Sequence, residues 1–369
     1  MYTEKELVRI AKRENNTKRK YLVVNALQGK HIPVKADEAF GMFRCLADKL
    51  RGKYENERIL LIGFAETATA IGAALAVELE MPYIQTTREV INGVDYLFFT
   101  EAHSHATEQK LVKDDIDAIA EKTDRIIFVE DEVTTGNTIL DIIGVIKKNY
   151  EERIKFSVAS LLNGMDSYSL KKYSDNNIDI HFLVKTNHSG YTEIAEKFIC
   201  NGKYHKCDVT TPETDFQEYK ICGRTDARRI TEGADYHIAC HGLWLDIKNK
   251  TDCQAESILV IGTEECMYPA LYVSAMLEKN GIKSRCHSTT RSPIDVSRAE
   301  SYPLRERYEL VSLYDDERKT FIYDIEKYDK VFIVTDSEYK GSKGVNSLIN
   351  ALCSAGNTDV SLIRWCSDL

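Results

Sequence analysis

The chain has 369 residues, 43% hydrophobic and 29% charged, a balance that excludes disordered and fibrous classes and leaves room for two domains. Its 49 basic and 58 acidic side chains give a net charge of −9, which opposes bulk binding to nucleic acid or anionic membrane but allows a local basic pocket. No apolar run approaches the roughly 18 residues of a membrane span, and the polar opening Met1-Tyr2-Thr3-Glu4-Lys5-Glu6 does not read as a secretion signal; a cytoplasmic protein is expected, with neither nucleic acid nor membrane as a partner.

In chain order, the first distinctive segment is Gly29-Lys30-His31-Ile32-Pro33, where Lys30 and His31 either contact substrate or pack the N-terminal segment. Ile59-Leu60-Leu61-Ile62-Gly63 then reads as a buried strand, followed by the short loop Phe64-Ala65-Glu66 and an Ala-rich helix from Thr67. Residues 84–111 are more polar and contain Thr86-Thr87-Arg88-Glu89, His103 and His105, a long functional loop or hairpin. Ile126-Ile127-Phe128-Val129 is a second apolar strand. After it, Ile139, Ile142, Ile143 and Ile146 fall at offsets 0, 3, 4 and 7, one face of a helix. Strands apolar throughout are covered on both faces, which predicts a parallel sheet in an α/β fold.

Between that strand and helix stand Glu130 and Asp131, then Thr134-Thr135-Gly136-Asn137-Thr138. A small-residue loop at a helix N-terminus offers N–H groups, hydroxyls and the positive end of the dipole to an anion. Two carboxylates beside a phosphate cradle suit a hydroxyl-rich group attached to that phosphate, such as the ribose of a 5-phosphate.

Phe128 to Thr138 resembles the diphosphoribosyl-binding signature of type I phosphoribosyltransferases. Gly63-Phe64-Ala65-Glu66-Thr67-Ala68 is similar to their pyrophosphate loop, in which an unusual or cis peptide is expected. Arg88 takes the place of their basic residue after the second strand, and Glu101 to Thr107 that of their mobile catalytic loop. With Thr290-Arg291-Ser292-Pro293, the chain is identified as resembling the orotate-phosphoribosyltransferase-like family with a C-terminal TRSP domain, found with tellurite-resistance and stress operons. The resemblance implies a transferase domain over residues 1–210 and a TRSP domain over 211–369. It implies a homodimer and Mg²⁺-dependent use of 5-phosphoribosyl 1-diphosphate with a nucleobase-like acceptor, without a metal site built from protein ligands alone. It gives Glu130, Asp131, Arg88, His103 and His105 catalytic roles, and leaves Thr134, Thr135, Gly136, Asn137, Thr138, Ala65, Glu66 and Thr67 to bind the diphosphoribosyl group. Where orotate enzymes carry loop lysines, this sequence has the two histidines.

The second half repeats the first. Ile258-Leu259-Val260-Ile261-Gly262 mirrors residues 59–63, Thr289-Thr290-Arg291 mirrors Thr86-Thr87-Arg88, and Val331 to Asp336 mirrors Ile126 to Asp131. A second, degenerate phosphoribosyltransferase-like α/β domain is expected, with its two apolar strands adjacent in one parallel sheet. One carboxylate of the acidic pair is lost there, and Arg291, Ser292, Gly341 and Lys343 are the candidates for an anion site. Nine of the ten cysteines fall from Cys200 onwards and none forms a CxxC pair, so reduced, structural thiols are expected. The alternative function is a non-catalytic sensor of a phosphoribosyl nucleotide.

Overall fold

The computed structural model describes residues 2–14, 19–99, 109–150 and 153–367. Contacts divide the chain into two compact units that interleave along the sequence. The first comprises Met1–Glu4, Phe40–Asn187 and Thr225–Ile238; the second comprises Lys5–Ala39, His188–Arg224 and Ala239–Leu369.

The first unit is built on a six-stranded sheet in the order Thr231–Glu232, Pro82–Gln85, Ile59–Gly63, Arg125–Val133, Lys155–Asn163, Ile178–Lys185. Every pairing is parallel except that of the short first strand. The two apolar runs read from the sequence are its centre, with Ile62 opposite Phe128 and Gly63 opposite Val129. Leu60, Leu61, Ile62 and Ile126 to Val129 are buried, as strands covered on both faces must be. Helix Thr69–Leu79 buries almost all its small residues, whereas Asn137–Asn149 buries the one stripe of Ile139, Ile142, Ile143 and Ile146. Strands Tyr96–Phe99 and Gln109–Val112 form a separate antiparallel pair.

The second unit has an all-parallel five-stranded sheet ordered Gln217–Ile221, Val360–Trp365, Lys330–Thr335, Ser257–Gly262, Lys283–Ser288. The adjacency expected of a repeat is present: Ile261 lies opposite Ile333 and Gly262 opposite Val334. Beside it, Lys203–Lys206, Glu306–Val311 and Lys319–Tyr323 form a three-stranded sheet, and Val8–Lys12 with Tyr21–Asn25 an antiparallel ribbon.

The repeat extends to individual hydrogen bonds. Thr86 N–H donates to Gly63 O at 2.9 Å, and Thr289 N–H to Gly262 O at 3.0 Å. Ala65 N–H donates to the Thr86 hydroxyl at 2.8 Å, and Glu264 N–H to the Thr289 hydroxyl at 3.0 Å. Thr87 bridges Lys110 as Thr290 bridges Phe321, both antiparallel. The fifth strand breaks the correspondence: downstream residues supply it in the first unit, upstream residues in the second.

Candidate active site

The site in the first unit lies at the carboxyl ends of its central strands, where ligands of open α/β sheets bind. Strand Arg125–Val133 carries Glu130, Asp131 and Glu132 at this end. The loop after Gly63 reaches the same place, and the Thr67 hydroxyl donates to Asp131 Oδ1 at 3.0 Å. This bond joins the two segments that the sequence singled out separately. The loop contains a cis peptide between Ala65 and Glu66, as expected. It is held by Thr86, whose hydroxyl accepts from Ala65 N–H and donates to Gln109 Oε1 at 2.7 Å. The Thr69 hydroxyl donates to Glu66 O at 3.1 Å.

Burial, and then the charge of Glu132, pushes the Asp131 carboxyl up to about 6. Proton binding to this group therefore favours the folded state. The contribution is complete below its unfolded value of about 4 and disappears as pH rises through about 6. In the ligand-free protein, a carboxyl-carbon NMR titration is expected to place the Asp131 midpoint near 6, and Asp131→Asn should flatten stability between pH 4 and 6. A midpoint near 4 would refute this account of the site.

The other acidic residue, Glu130, has different neighbours. Glu130 lies toward Tyr173, whose hydroxyl is raised by burial and by the Glu130 charge. Tyr173 donates to Gly136 O at 2.7 Å. Gly136 is the left-handed residue, at φ +69°, that turns the chain into helix Asn137–Asn149. Thr134, Thr135, Asn137 and Thr138 are half-buried around it. The Thr135 hydroxyl accepts from Asn137 N–H at 3.4 Å, and Asn137 Oδ1 from Lys172 at 3.4 Å. The small-residue loop and the acidic strand end thus sit together. Arg88 is half-buried beside the Thr87–Lys110 bridge. His103 and His105 lie outside the described residues. Thr86, Gln109 and Tyr173 received no role from the sequence, since a single threonine, glutamine or tyrosine carries no spacing signal.

Glu130, Asp131 and Glu132 offer only oxygen donors, the ligands of a hard divalent cation. Among the described residues no group of three or more His, Cys, Asp or Glu could hold a metal alone. This donor set fits Mg²⁺ shared with substrate oxygens and water. No helix among the described residues is long and apolar enough to cross a membrane.

In the second unit, Arg291 Nε donates to Glu264 Oε2 at 2.6 Å. Ser292 N–H donates to the Thr290 hydroxyl at 3.2 Å, and its carbonyl accepts from Tyr323 at 2.6 Å. Lys343 Nζ is 3.8 Å from Glu317. A Cβ on Gly341 would stand 2.7 Å from Asp316 Oδ2. Both cations among the four candidates therefore face a carboxylate. Lys30 packs into this unit, donating to Glu264 O at 2.9 Å, Thr289 O at 3.1 Å and Ser288 Oγ at 3.4 Å. His31 is buried, with its ring edge-on to Tyr323.

Residues 7–188 match the family model of a phosphoribosyl transferase. Residues 234–352 match that of the TRSP domain, described as C-terminal to that transferase. No curated protein matches the sequence. Similar solved structures include adenine phosphoribosyltransferase from Rhodothermus marinus, at 15% identity and TM-score 0.36, covering 49% of this chain and 96% of that one. That from Leishmania tarentolae has 12% identity and TM-score 0.35, covering 51% and 88%. That from Trypanosoma brucei, in complex with AMP, pyrophosphate and ribose-5-phosphate, has 15% identity and TM-score 0.34, covering 48% and 76%. The chain belongs to the phosphoribosyl transferase family whose members continue into a TRSP domain, and it is an enzyme of that class.

Proposed function

We propose that the protein transfers the phosphoribosyl group of 5-phosphoribosyl 1-diphosphate to a nucleobase-like nitrogen and releases pyrophosphate. The observation that carries this reading is the Thr67–Asp131 hydrogen bond. It sets the loop suited to a diphosphate against the carboxylate suited to a ribose, with the Gly136 turn at the end of the same strand.

In this reading the N–H groups and hydroxyls of Thr134 to Thr138 hold the 5-phosphate at the helix N-terminus. Asp131 and Glu130 accept hydrogen bonds from ribose hydroxyls and favour positive charge developing on the ring. Arg88 and the Ala65–Thr67 loop stabilise the departing pyrophosphate as the ribosyl C1–O bond breaks and the C1–N bond forms. Glu130 and Asp131 would help hold Mg²⁺ together with substrate oxygens and water, and the ion would supply neutralisation of diphosphate charge. The half-buried setting of these groups strengthens each charge interaction relative to open water.

Labelled 5-phosphoribosyl 1-diphosphate, incubated with a panel of nucleobases and Mg²⁺, is expected to release pyrophosphate in the presence of at least one base. Chelation of Mg²⁺ should reduce release to background, and readdition should restore it. Tight binding with no turnover for any base would instead leave the sensor role.

A further inference from the structure

The shared hydrogen-bond pattern allows the two carboxyl-end loops to be matched residue for residue. Ala65 and Glu264 each give their N–H to the threonine hydroxyl at the end of the neighbouring strand. Arg88 and Arg291 each stand two residues beyond that threonine. Where the first unit has a methyl group, the second therefore has a carboxylate beside the matching arginine.

The surroundings of Glu264 are those of a bound oxyanion. The residue is 1% exposed. Oε2 accepts from Arg291 Nε at 2.6 Å and from Arg318 at 3.2 Å, and Oε1 from the Ser312 hydroxyl at 2.5 Å. Arg291 also lies 3.8 Å from Glu265. Two guanidinium groups and a hydroxyl converging on one pair of oxygens form the donor set that recognises phosphate and carboxylate groups. Glu264 holds a left-handed backbone at φ +47°, a conformation that a non-glycine residue keeps only where its surroundings enforce it. Lys30 secures the same turn by donating to Glu264 O and Thr289 O.

We propose that Glu264 is an intramolecular stand-in for a ligand: the second unit keeps an oxyanion site of the shared fold and fills it with its own carboxylate. This rests on reading the Ala65–Thr67 loop as the diphosphate site of the first unit. One chain then binds one diphosphate-bearing ligand rather than two, and the TRSP unit takes none at this position. Removing the carboxylate converts a closed site into one open to a phosphate or pyrophosphate.

The test is calorimetric titration of the full-length chain with inorganic pyrophosphate. Glu264→Ala and Glu264→Gly are expected to bind one more pyrophosphate per chain than wild type. Adding Arg291→Ala should weaken that extra site at least tenfold. Glu264→Ala should melt at a lower temperature than wild type, and millimolar pyrophosphate should restore more of its stability than it adds to wild type. If the alanine variant fails to fold, the glycine variant decides, because it empties the site equally and glycine adopts the left-handed backbone at φ +47° without strain. Folded variants with wild-type stoichiometry would overturn the inference, as would a wild-type site lost on Arg291→Ala. A wild type that binds none beside a variant that binds one would support the inference while removing the reading of the first unit.

Discussion

Asp131→Asn is expected to lower kcat/KM by about 10- to 150-fold, the equivalent of losing one charged hydrogen bond of about 1.5–3 kcal/mol. The fold should survive, because the asparagine carbonyl can still accept from the Thr67 hydroxyl. Stability at neutral pH should rise, since the wild-type carboxyl is held up to about 6 by burial and by Glu132 and must pay to ionise there. A variant that is more stable and less active is the signature of a group kept for function rather than folding. Steady-state kinetics with urea denaturation at pH 7 measures both effects. Unchanged kinetics in Asp131→Asn and Glu130→Gln would remove the acidic pair from the mechanism.

Gly136→Ala is expected to cost about 2–5 kcal/mol. The left-handed backbone at φ +69° contributes about 1–2 kcal/mol of this for a residue with a Cβ, and overpacking about 1–3 kcal/mol. The added carbon would stand 2.2 Å from the Tyr173 hydroxyl and 2.6 Å from Met165 Cε. Tyr173 has no room to retreat: it is fully buried and its hydroxyl is anchored to Gly136 O. Affinity for ribose 5-phosphate should fall together with stability, because the strained residue begins the helix that would hold the phosphate. Gly136→Ala combined with Tyr173→Phe should recover part of the loss, removing the colliding oxygen but not the backbone cost. Wild-type stability in Gly136→Ala would contradict this geometry.

The parts of the molecule legible in the sequence are those whose burial is local and one-dimensional. Leu60–Ile62, Ile126–Val129, Ile258–Ile261 and Val331–Val334 are unbroken apolar runs because both faces of each strand are covered. Ile139, Ile142, Ile143 and Ile146 reveal a helix because one stripe of it is buried. The acidic strand end and the small-residue loop could be read because they are contiguous. Contacts between distant segments could not. Nothing near Gly262 marks Glu264 as the partner of Arg291 and Arg318. Nothing in Gly29–Pro33 reveals that Lys30 serves the turn at Glu264. Strand Gln217–Ile221 is largely exposed and mostly polar, so its sequence has no strand-like apolar run; its pairing with Val360–Trp365 defines it.

The antiparallel ribbon of Val8–Lys12 and Tyr21–Asn25 also imposes an order in time. These residues are synthesised long before several of their packing partners. Arg13 bridges Ile294, Lys12 N–H donates to the Tyr302 hydroxyl at 2.8 Å, and Glu14 pairs with Arg307 at 2.7 Å. A two-stranded ribbon is marginal by itself. At about 5–20 residues per second it waits on the order of tens of seconds for those partners to leave the ribosome. The sheet of the first unit has all its strands once Glu232 has emerged. The first unit therefore completes its sheet while the ribbon, which precedes every strand of that sheet in the sequence, still lacks these partners.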